Sequence, residues 1–161
     1  DSLSYIGVRY PAEAVSVLDE GFDKGVISRN NVTFNERYNE AKARLAEDTR
    51  TLPGTVAPAK ASPKPMLSSL TADSFFSHKD YKTAKELYES ALGKGAVLDK
   101  DGGDQTDRTR FRLAMSKAML GDYAGAKADF AMINNPNRKA IAEYWNMYID
   151  QLSKPAAAPA T

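Results

Sequence analysis

The chain has 161 residues, of which 42% are hydrophobic and 27% charged, and its formal net charge is +1. This composition is typical of a folded domain, and the balanced charge gives no reason to expect binding to nucleic acid or to an anionic membrane. The sequence contains no cysteine, which excludes disulfides and thiolate chemistry, and no apolar run approaches the roughly 20 residues of a membrane-spanning helix, so we expect no membrane insertion.

Residues 1–27 are predicted to be the C-terminal part of a first helical repeat. Ala14, Leu18 and Phe22 recur at four-residue steps, which places them on one helix face, and Gly25 can end that helix. Residues 1–9 resemble the last turns of a preceding helix whose start is missing, and the first residue is Asp1 rather than Met. We therefore expect a fragment of a longer protein.

Residues 28–65 are predicted to form a helix followed by an irregular, proline-rich connection. Thr33 and Glu36 have the spacing of a capping box, which places the helix N-terminus at Thr33. The helix should continue to about Arg50, and its apolar face consists of Phe34, Tyr38, Ala41 and Leu45. Prolines 53, 58, 63 and 65 then favour a linker.

Two further repeats are predicted at residues 66–97 and 106–135, with a loop at 98–105 between them. They align at an offset of 42 residues, and the first repeat aligns with the second at an offset of 70. Each copy places a small residue where a neighbouring helix would approach closely and a larger apolar residue one turn later. The aligned positions are Ala14, Ala84 and Ala126, then Leu18, Tyr88 and Phe130.

The remaining sequence is predicted to close the array. Residues 136–153 form a final helix with a broad apolar face, which a terminal repeat needs to cover the open end of a stack. Residues 154–161 are predicted to be a flexible tail.

The pattern of a small residue, a Gly-Asp-Tyr or Lys-Asp-Tyr turn and an aromatic residue resembles the tetratricopeptide repeat. The resemblance implies an all-α fold of antiparallel helix-hairpin repeats, stacked as an α-α superhelix with a C-terminal capping helix, in a longer bacterial protein. The positions that carry the repeat signature are Ala14, Leu18, Ala72, Tyr81, Ala84, Tyr88, Ala114, Gly121, Tyr123, Ala126 and Phe130.

No pattern in the sequence favours catalysis or metal binding. His78 is the only histidine, and its place in a turn favours a solvated residue over a catalytic base. The acidic stretch from Asp99 to Asp107 lacks the glycine and glutamate spacing of a calcium-binding EF-hand loop, which favours a plain connection. We expect no enzymatic activity and no cofactor.

The family resemblance implies a peptide-binding groove lined by the first helix of each repeat. The residues expected to contact a ligand are Asp73, Phe76, Arg108, Phe111, Arg112 and Met115. Arg108 and Arg112 lie one helical turn apart and could pair with an acidic side chain or a C-terminal carboxylate. We therefore expect a non-enzymatic scaffold module that binds a protein or peptide partner and no nucleic acid.

Two alternatives remain open at this point. The chain could be an accessory or regulatory helical domain of a larger enzyme or of a secretion or envelope assembly. It could also carry a small ligand in a pocket between Phe75, Phe76, Phe111 and Met115, although a small-molecule ligand is the less favoured class. The sequence does not decide between the cytoplasm and export to the periplasm.

Overall fold

The computed structural model describes residues 10–153, and this part of the chain is helical and without β-strands. The helices are α1 (Pro11–Asp23), α2 (Val32–Thr51), a 3-10 turn (Leu52–Thr55), α3 (Val56–Ala61), α4 (Pro65–Ser77), α5 (Tyr81–Gly93), α6 (Thr106–Met119), α7 (Tyr123–Ala131) and α8 (Pro136–Leu152). The predicted all-α class is confirmed for this range. The partial helix predicted at residues 1–9 and the tail predicted at 154–161 lie outside the described residues.

The pairs α4–α5 and α6–α7 form two antiparallel hairpins whose turns have the same backbone geometry. Asp80 and Asp122 precede the second helices with φ/ψ of −79°/72° and −79°/71°. Each carboxylate accepts a hydrogen bond from the backbone N–H three residues later, which satisfies one free donor of the helix end. The backbone N–H of Asp80 donates to Phe75 O at 3.0 Å, and that of Asp122 donates to Lys117 O at 2.9 Å. Residues 42 positions apart in the two hairpin turns are therefore structurally equivalent.

The two turns differ at the residue before the capping aspartate. Lys79 and Gly121 both have positive φ, 61° and 82° respectively. Glycine adopts this left-handed conformation without a steric penalty, whereas a side-chain-bearing residue loses about 1–2 kcal/mol. The first turn therefore holds local strain that the second turn does not.

The end of α1 also matches the end of α5. Lys24 and Lys94 close their helices in right-handed helical conformation, and the glycines that follow, Gly25 and Gly95, have φ of 69° and 115°. Residues 70 positions apart are therefore structurally equivalent at the ends of these two helices.

Helix α1 pairs with the helix that follows it in sequence. The ring of Phe22 meets the ring of Tyr38 edge-on at 5.5 Å, and the Tyr38 hydroxyl donates to Asp19 at 2.7 Å. These contacts join the end of α1 to the beginning of α2, so the two helices are antiparallel.

Helix α2 begins two residues before the predicted boundary. Asn31, not Thr33, is the N-terminal cap, and its side-chain oxygen accepts a hydrogen bond from the backbone N–H of Phe34. The capping-box assignment was wrong because asparagine is itself a strong cap, and Thr33 lies in the first helical turn.

The proline-rich stretch is more regular than expected. Pro53 lies in the 3-10 turn and Pro58 in the first turn of α3, where a missing N–H removes no helical hydrogen bond. Ala59 of α3 is buried, and its carbonyl accepts hydrogen bonds from Lys94 Nζ at 3.1 Å and Ser68 Oγ at 2.8 Å. The connection therefore packs on both helices of the α4–α5 hairpin.

The hydrophobic interior has two main clusters, one for each hairpin. The first contains Ala59, Ala72, Phe75, Ala84, Leu87, Tyr88 and Leu113. The second contains Ala114, Ala118, Ala126, Phe130, Ile133, Ala142 and Ile149. Within the signature, the alanines together with Leu18, Tyr88 and Phe130 are buried, whereas Tyr81 and Tyr123 are partly exposed and Gly121 is exposed.

In the second hairpin, a cluster of ion pairs takes the place of some apolar residues at the contact between the two helices. Lys117 Nζ lies 2.6 Å from Asp129 Oδ2, and Arg110 Nη1 lies 3.6 Å from Asp129 Oδ1. At the 42-residue offset, Lys117 and Asp129 occupy the places of Phe75 and Leu87. The second hairpin thus has a basic and an acidic residue where the first has two apolar ones, and the carboxylate on α7 compensates the charges of Lys117 and Arg110.

Helix α8 covers the outer side of the α6–α7 hairpin. Ala142 and Ile149 are buried in the second cluster, and Trp145 stacks on Phe130 with a centroid distance of 6.2 Å. The Asp107 carboxylate accepts hydrogen bonds from the backbone N–H groups of residues 134 and 135, which holds the start of α8 beside the start of α6.

Candidate functional site

A buried carboxylate on α4 binds two arginines of α6. Asp73 Oδ2 lies 2.6 Å from Arg108 Nη2, and Asp73 Oδ1 lies 3.3 Å from Arg112 Nη1. The Tyr88 hydroxyl of α5 donates a 2.7 Å hydrogen bond to Asp73 Oδ1. Four side chains from three helices therefore converge on one site.

The members of this cluster differ in their access to solvent. The Asp73 side chain is 1% exposed, whereas the Arg108 and Arg112 side chains are 21% and 26% exposed. The buried Asp73 carboxylate thus fixes the two guanidinium groups, and its burial does not favour direct contact with a ligand. Two cations share one carboxylate, so the cluster presents a surplus positive charge toward its exposed side.

The electrostatics follow from burial and from this pairing. Burial raises the pKa of Tyr88 far above its ordinary value, and the adjacent Asp73 carboxylate raises it further. Burial, the largest single effect, would lower the pKa of Arg112, but the attraction of Asp73 and the contact with Tyr88 together outweigh it and the pKa is raised overall. The cluster therefore holds a neutral Tyr88 and a charged Arg112.

An aromatic ring lies against one of the two arginines. The Arg112 guanidinium lies over the Phe76 ring at 5.5 Å from its centroid, and Phe76 meets Tyr81 edge-on at 5.3 Å. Phe111 of α6 instead meets Phe130 at 5.3 Å, and both Phe111 and Met115 pack against the second core cluster. One flat face of the Arg112 guanidinium is partly covered by Phe76, so the group would present its N–H edge to a ligand.

The four side chains considered for a small-ligand pocket are divided between the two clusters. Phe75 is buried inside the first cluster and Phe76 packs against it, whereas Phe111 and Met115 pack against the second. Their apolar surfaces are used in the packing of separate hairpins, so the structure gives this pocket no support.

A polar cavity of about 440 Å³ adjoins Arg108. It lies between the N-terminal ends of α6 and α8 and is lined by Asp104, Gln105, Asp107, Arg108, Asn134, Asn135 and Arg138. The two aspartates are engaged with backbone N–H groups, and within residues 10–153 the Arg138 guanidinium forms no ion pair. The cavity thus places Arg108 and Arg138 in one polar recess together with two carboxylates.

Sequence reasoning missed Tyr88 and Arg138 as members of this region. A signal for Tyr88 was present, because its equivalent in the next repeat is Phe130 and the equivalent of Asp73 is Met115. A hydroxyl and a carboxylate that occur together on core positions of one repeat indicate a buried hydrogen bond. Arg138 gave no comparable signal, because its position depends on how α8 packs.

The other polar residues singled out in the sequence form no site of their own. His78 is mostly buried, and its Nε2 lies 3.8 Å from Asp48 Oδ2 of α2, beyond hydrogen-bond distance. Asp99 Oδ1 accepts hydrogen bonds from the backbone N–H groups of Asp101 and Gly103, and these bonds lower the pKa of the Asp99 carboxyl. In the described part of the chain, no three acidic or histidine side chains are grouped as metal ligands would be.

In comparisons with known proteins, no family model, no curated protein and no solved structure matches the chain. From Tyr10 to Ser153, none of the helices combines the length and the apolar character that crossing a bilayer requires.

Proposed function

We propose that the chain is a non-catalytic interaction module, built on tetratricopeptide-like hairpins, that binds an acidic peptide segment of a partner protein along α4 and α6. The observation that carries the proposal is the sharing of the buried Asp73 carboxylate by Arg108 and Arg112. A carboxylate ligand would supply the second negative charge that this pair of cations lacks.

The surroundings of the arginines support a peptide rather than an isolated ion. Phe76, which lies against the Arg112 guanidinium, is partly exposed, as are Phe111 and Met115 on α6, and these side chains offer apolar contacts to a peptide. Arg138, across the polar cavity, offers a further cation in the same direction. Because the buried Asp73 fixes Arg108 and Arg112, less side-chain entropy is lost on binding than for freely rotating arginines.

The test is a binding measurement with a displayed peptide library, followed by fluorescence anisotropy with the peptides selected. We expect selection of peptides rich in Asp and Glu with interspersed apolar residues, and weaker binding as ionic strength rises. Arg108→Gln should weaken binding at least about tenfold, the effect of losing a charge-assisted hydrogen bond. Arg50→Gln on α2 is the matched control and should leave the affinity unchanged, because Arg50 is an exposed arginine paired with Glu47.

Selection of neutral or basic peptides, or an Arg108→Gln variant that binds as tightly as the parent, would contradict this proposal. Arg112→Glu is a less useful test, because it would place a second carboxylate beside the buried Asp73 and destabilise the folded state.

The alternative of an accessory or regulatory domain in a larger enzyme or assembly uses the same surface. In that case the acidic segment would belong to the same polypeptide or to a stable partner. Co-purification of such a segment with the longest native form of the protein would favour this alternative over a free peptide ligand.

A further inference from the structure

A small recess lies between α1 and the turn that joins α4 to α5. Its volume is about 250 Å³, and large side chains of three helices line it: Val17 of α1, Phe76 of α4 and Tyr81 of α5. Val17 is 57% exposed, and Phe76 and Tyr81 are partly exposed. Their apolar surfaces are therefore open to a ligand that approaches from solvent.

Charge divides this part of the surface into a neutral region and a cationic region. The charged residues that line the recess, Glu13 and Lys79, have opposite signs and leave it without net charge. Beside the recess, Arg108 and Arg112 share a single buried carboxylate, which leaves a surplus positive charge there. A ligand that matches both regions needs an uncharged apolar group for the recess and a carboxylate for the arginines.

The ring of Phe76 joins the two regions. It lines the recess and also lies against Arg112, whose guanidinium carbon is 5.5 Å from the ring centroid. The Tyr81 ring centroid lies 5.3 Å from the same point. The Arg112 guanidinium and the Tyr81 ring are therefore no farther apart than twice the larger of these distances. An extended peptide advances about 3.3 Å per residue, so about three residues are enough to cover this separation.

We propose that the recess takes one large apolar side chain of the bound peptide, two or three positions away from the acidic residue that contacts Arg108 and Arg112. This inference rests on the proposed function and adds to it a determinant of sequence specificity. Residues two positions apart in an extended peptide, or three apart in a helical one, lie on the same face. Both spacings fit the distance that the Phe76 ring sets between the arginine and the recess.

Size and packing favour the recess over the other apolar surface near the arginines. Its volume is below the roughly 300–1,000 Å³ of pockets that hold whole drug-sized ligands, so it suits a single side chain. Phe111 and Met115 on α6 are also partly exposed, but both pack against the second core cluster. More than half of the Val17 surface is exposed, so a ligand in the recess would bury apolar area that the fold leaves open.

Synthetic peptides of Gly and Ser that carry one Glu pair and a single Phe test the spacing. The Phe is placed at successive positions from the Glu pair, and a peptide with Ser in place of the Phe is the baseline. Fluorescence anisotropy at low ionic strength should show the tightest binding when the Phe is two or three positions away. Val17→Ser should weaken binding of that peptide roughly fivefold and leave the baseline peptide unaffected. Val26→Ser, at a 78% exposed residue of the α1–α2 loop, is the matched control and should change neither affinity.

The outcomes separate this inference from the proposed function. Arg108→Gln should weaken every peptide of the series by the same factor, because all of them carry the Glu pair. Suppose that it does so, but that affinity is independent of the Phe position, or that Val17→Ser affects the Phe and baseline peptides equally or not at all. Only the inference about the recess is then overturned. If Arg108→Gln has no effect, or if no peptide of the series binds, the proposed function is overturned together with it.

The Val17→Ser protein should keep the circular dichroism spectrum of the parent. Val17 is exposed, and valine and serine have similar helix propensities. A loss of binding in this variant would therefore report on the recess and not on unfolding.

Discussion

The hydroxyl of Tyr88 should stabilise the first hairpin, whereas the same hydroxyl in the second hairpin should destabilise it. Tyr88→Phe removes a buried 2.7 Å hydrogen bond to the Asp73 carboxylate and leaves the ring in place. A hydrogen bond to a charged group contributes about 1.5–3 kcal/mol, so we expect the free energy of unfolding to fall by about 2 kcal/mol.

The reciprocal change is Phe130→Tyr. In the second hairpin Met115 occupies the place of Asp73, so the new hydroxyl would meet a thioether instead of a carboxylate. Burial of a hydroxyl without a good acceptor costs about 1–3 kcal/mol. Both substitutions should therefore destabilise the protein, although one removes a hydroxyl and the other adds it.

Urea denaturation at neutral pH measures both effects. A double-mutant cycle of Tyr88→Phe with Asp73→Asn isolates the pair, and we expect a coupling energy of about 1 kcal/mol or more. A loss below about 0.5 kcal/mol for Tyr88→Phe would refute the assignment of the buried hydrogen bond, and a stabilising Phe130→Tyr would refute the absence of a good acceptor at that position.

The contribution of Tyr88 to the free energy of unfolding should fall as the pH rises. The folded-state pKa of Tyr88 is raised by burial and by Asp73, so the unfolded chain loses this proton first, near pH 10. The stabilisation is complete below about pH 10 and is lost above it, by up to about 1.4 kcal/mol per pH unit. Tyr88→Phe should reduce this alkaline slope, and an unchanged slope would contradict the raised pKa.

The remaining predictions concern the repeat geometry. Lys79→Gly should be neutral or stabilising because it removes left-handed strain, whereas Gly121→Ala should cost about 1 kcal/mol, and thermal melts that rank them in the opposite order would contradict the turn geometry. Ala84→Leu and Ala126→Leu should each cost about 1–3 kcal/mol because both alanines are fully buried. Ala46→Leu, on the exposed side of α2, should leave the chemical denaturation midpoint nearly unchanged, and equal effects at all three sites would argue against close helix packing.

The candidate site could be predicted only in part. Arg108 and Arg112 were identified from their spacing of one helical turn, and Asp73 from its expected place on the groove-lining helix of the preceding repeat. Their mutual contact could not be read from spacing, because 35 residues separate Asp73 from Arg108 and the distance depends on how α4 and α6 pack. Asp73 consequently lies beneath the arginines as their counter-ion, and its own contact with a ligand stays a prediction that its burial does not favour.

By itself, the sequence determined the local elements and their register: the capping aspartates 80 and 122, the turn at Gly121 and the equivalence of Ala84 with Ala126. These features depend on interactions within a few residues, and such interactions are encoded locally. Only the tertiary structure showed that Lys94 binds the proline-rich segment and that a recess lies between α1 and the turn that joins α4 to α5. Those contacts join residues far apart in the chain, and their geometry exists only after the helices have packed.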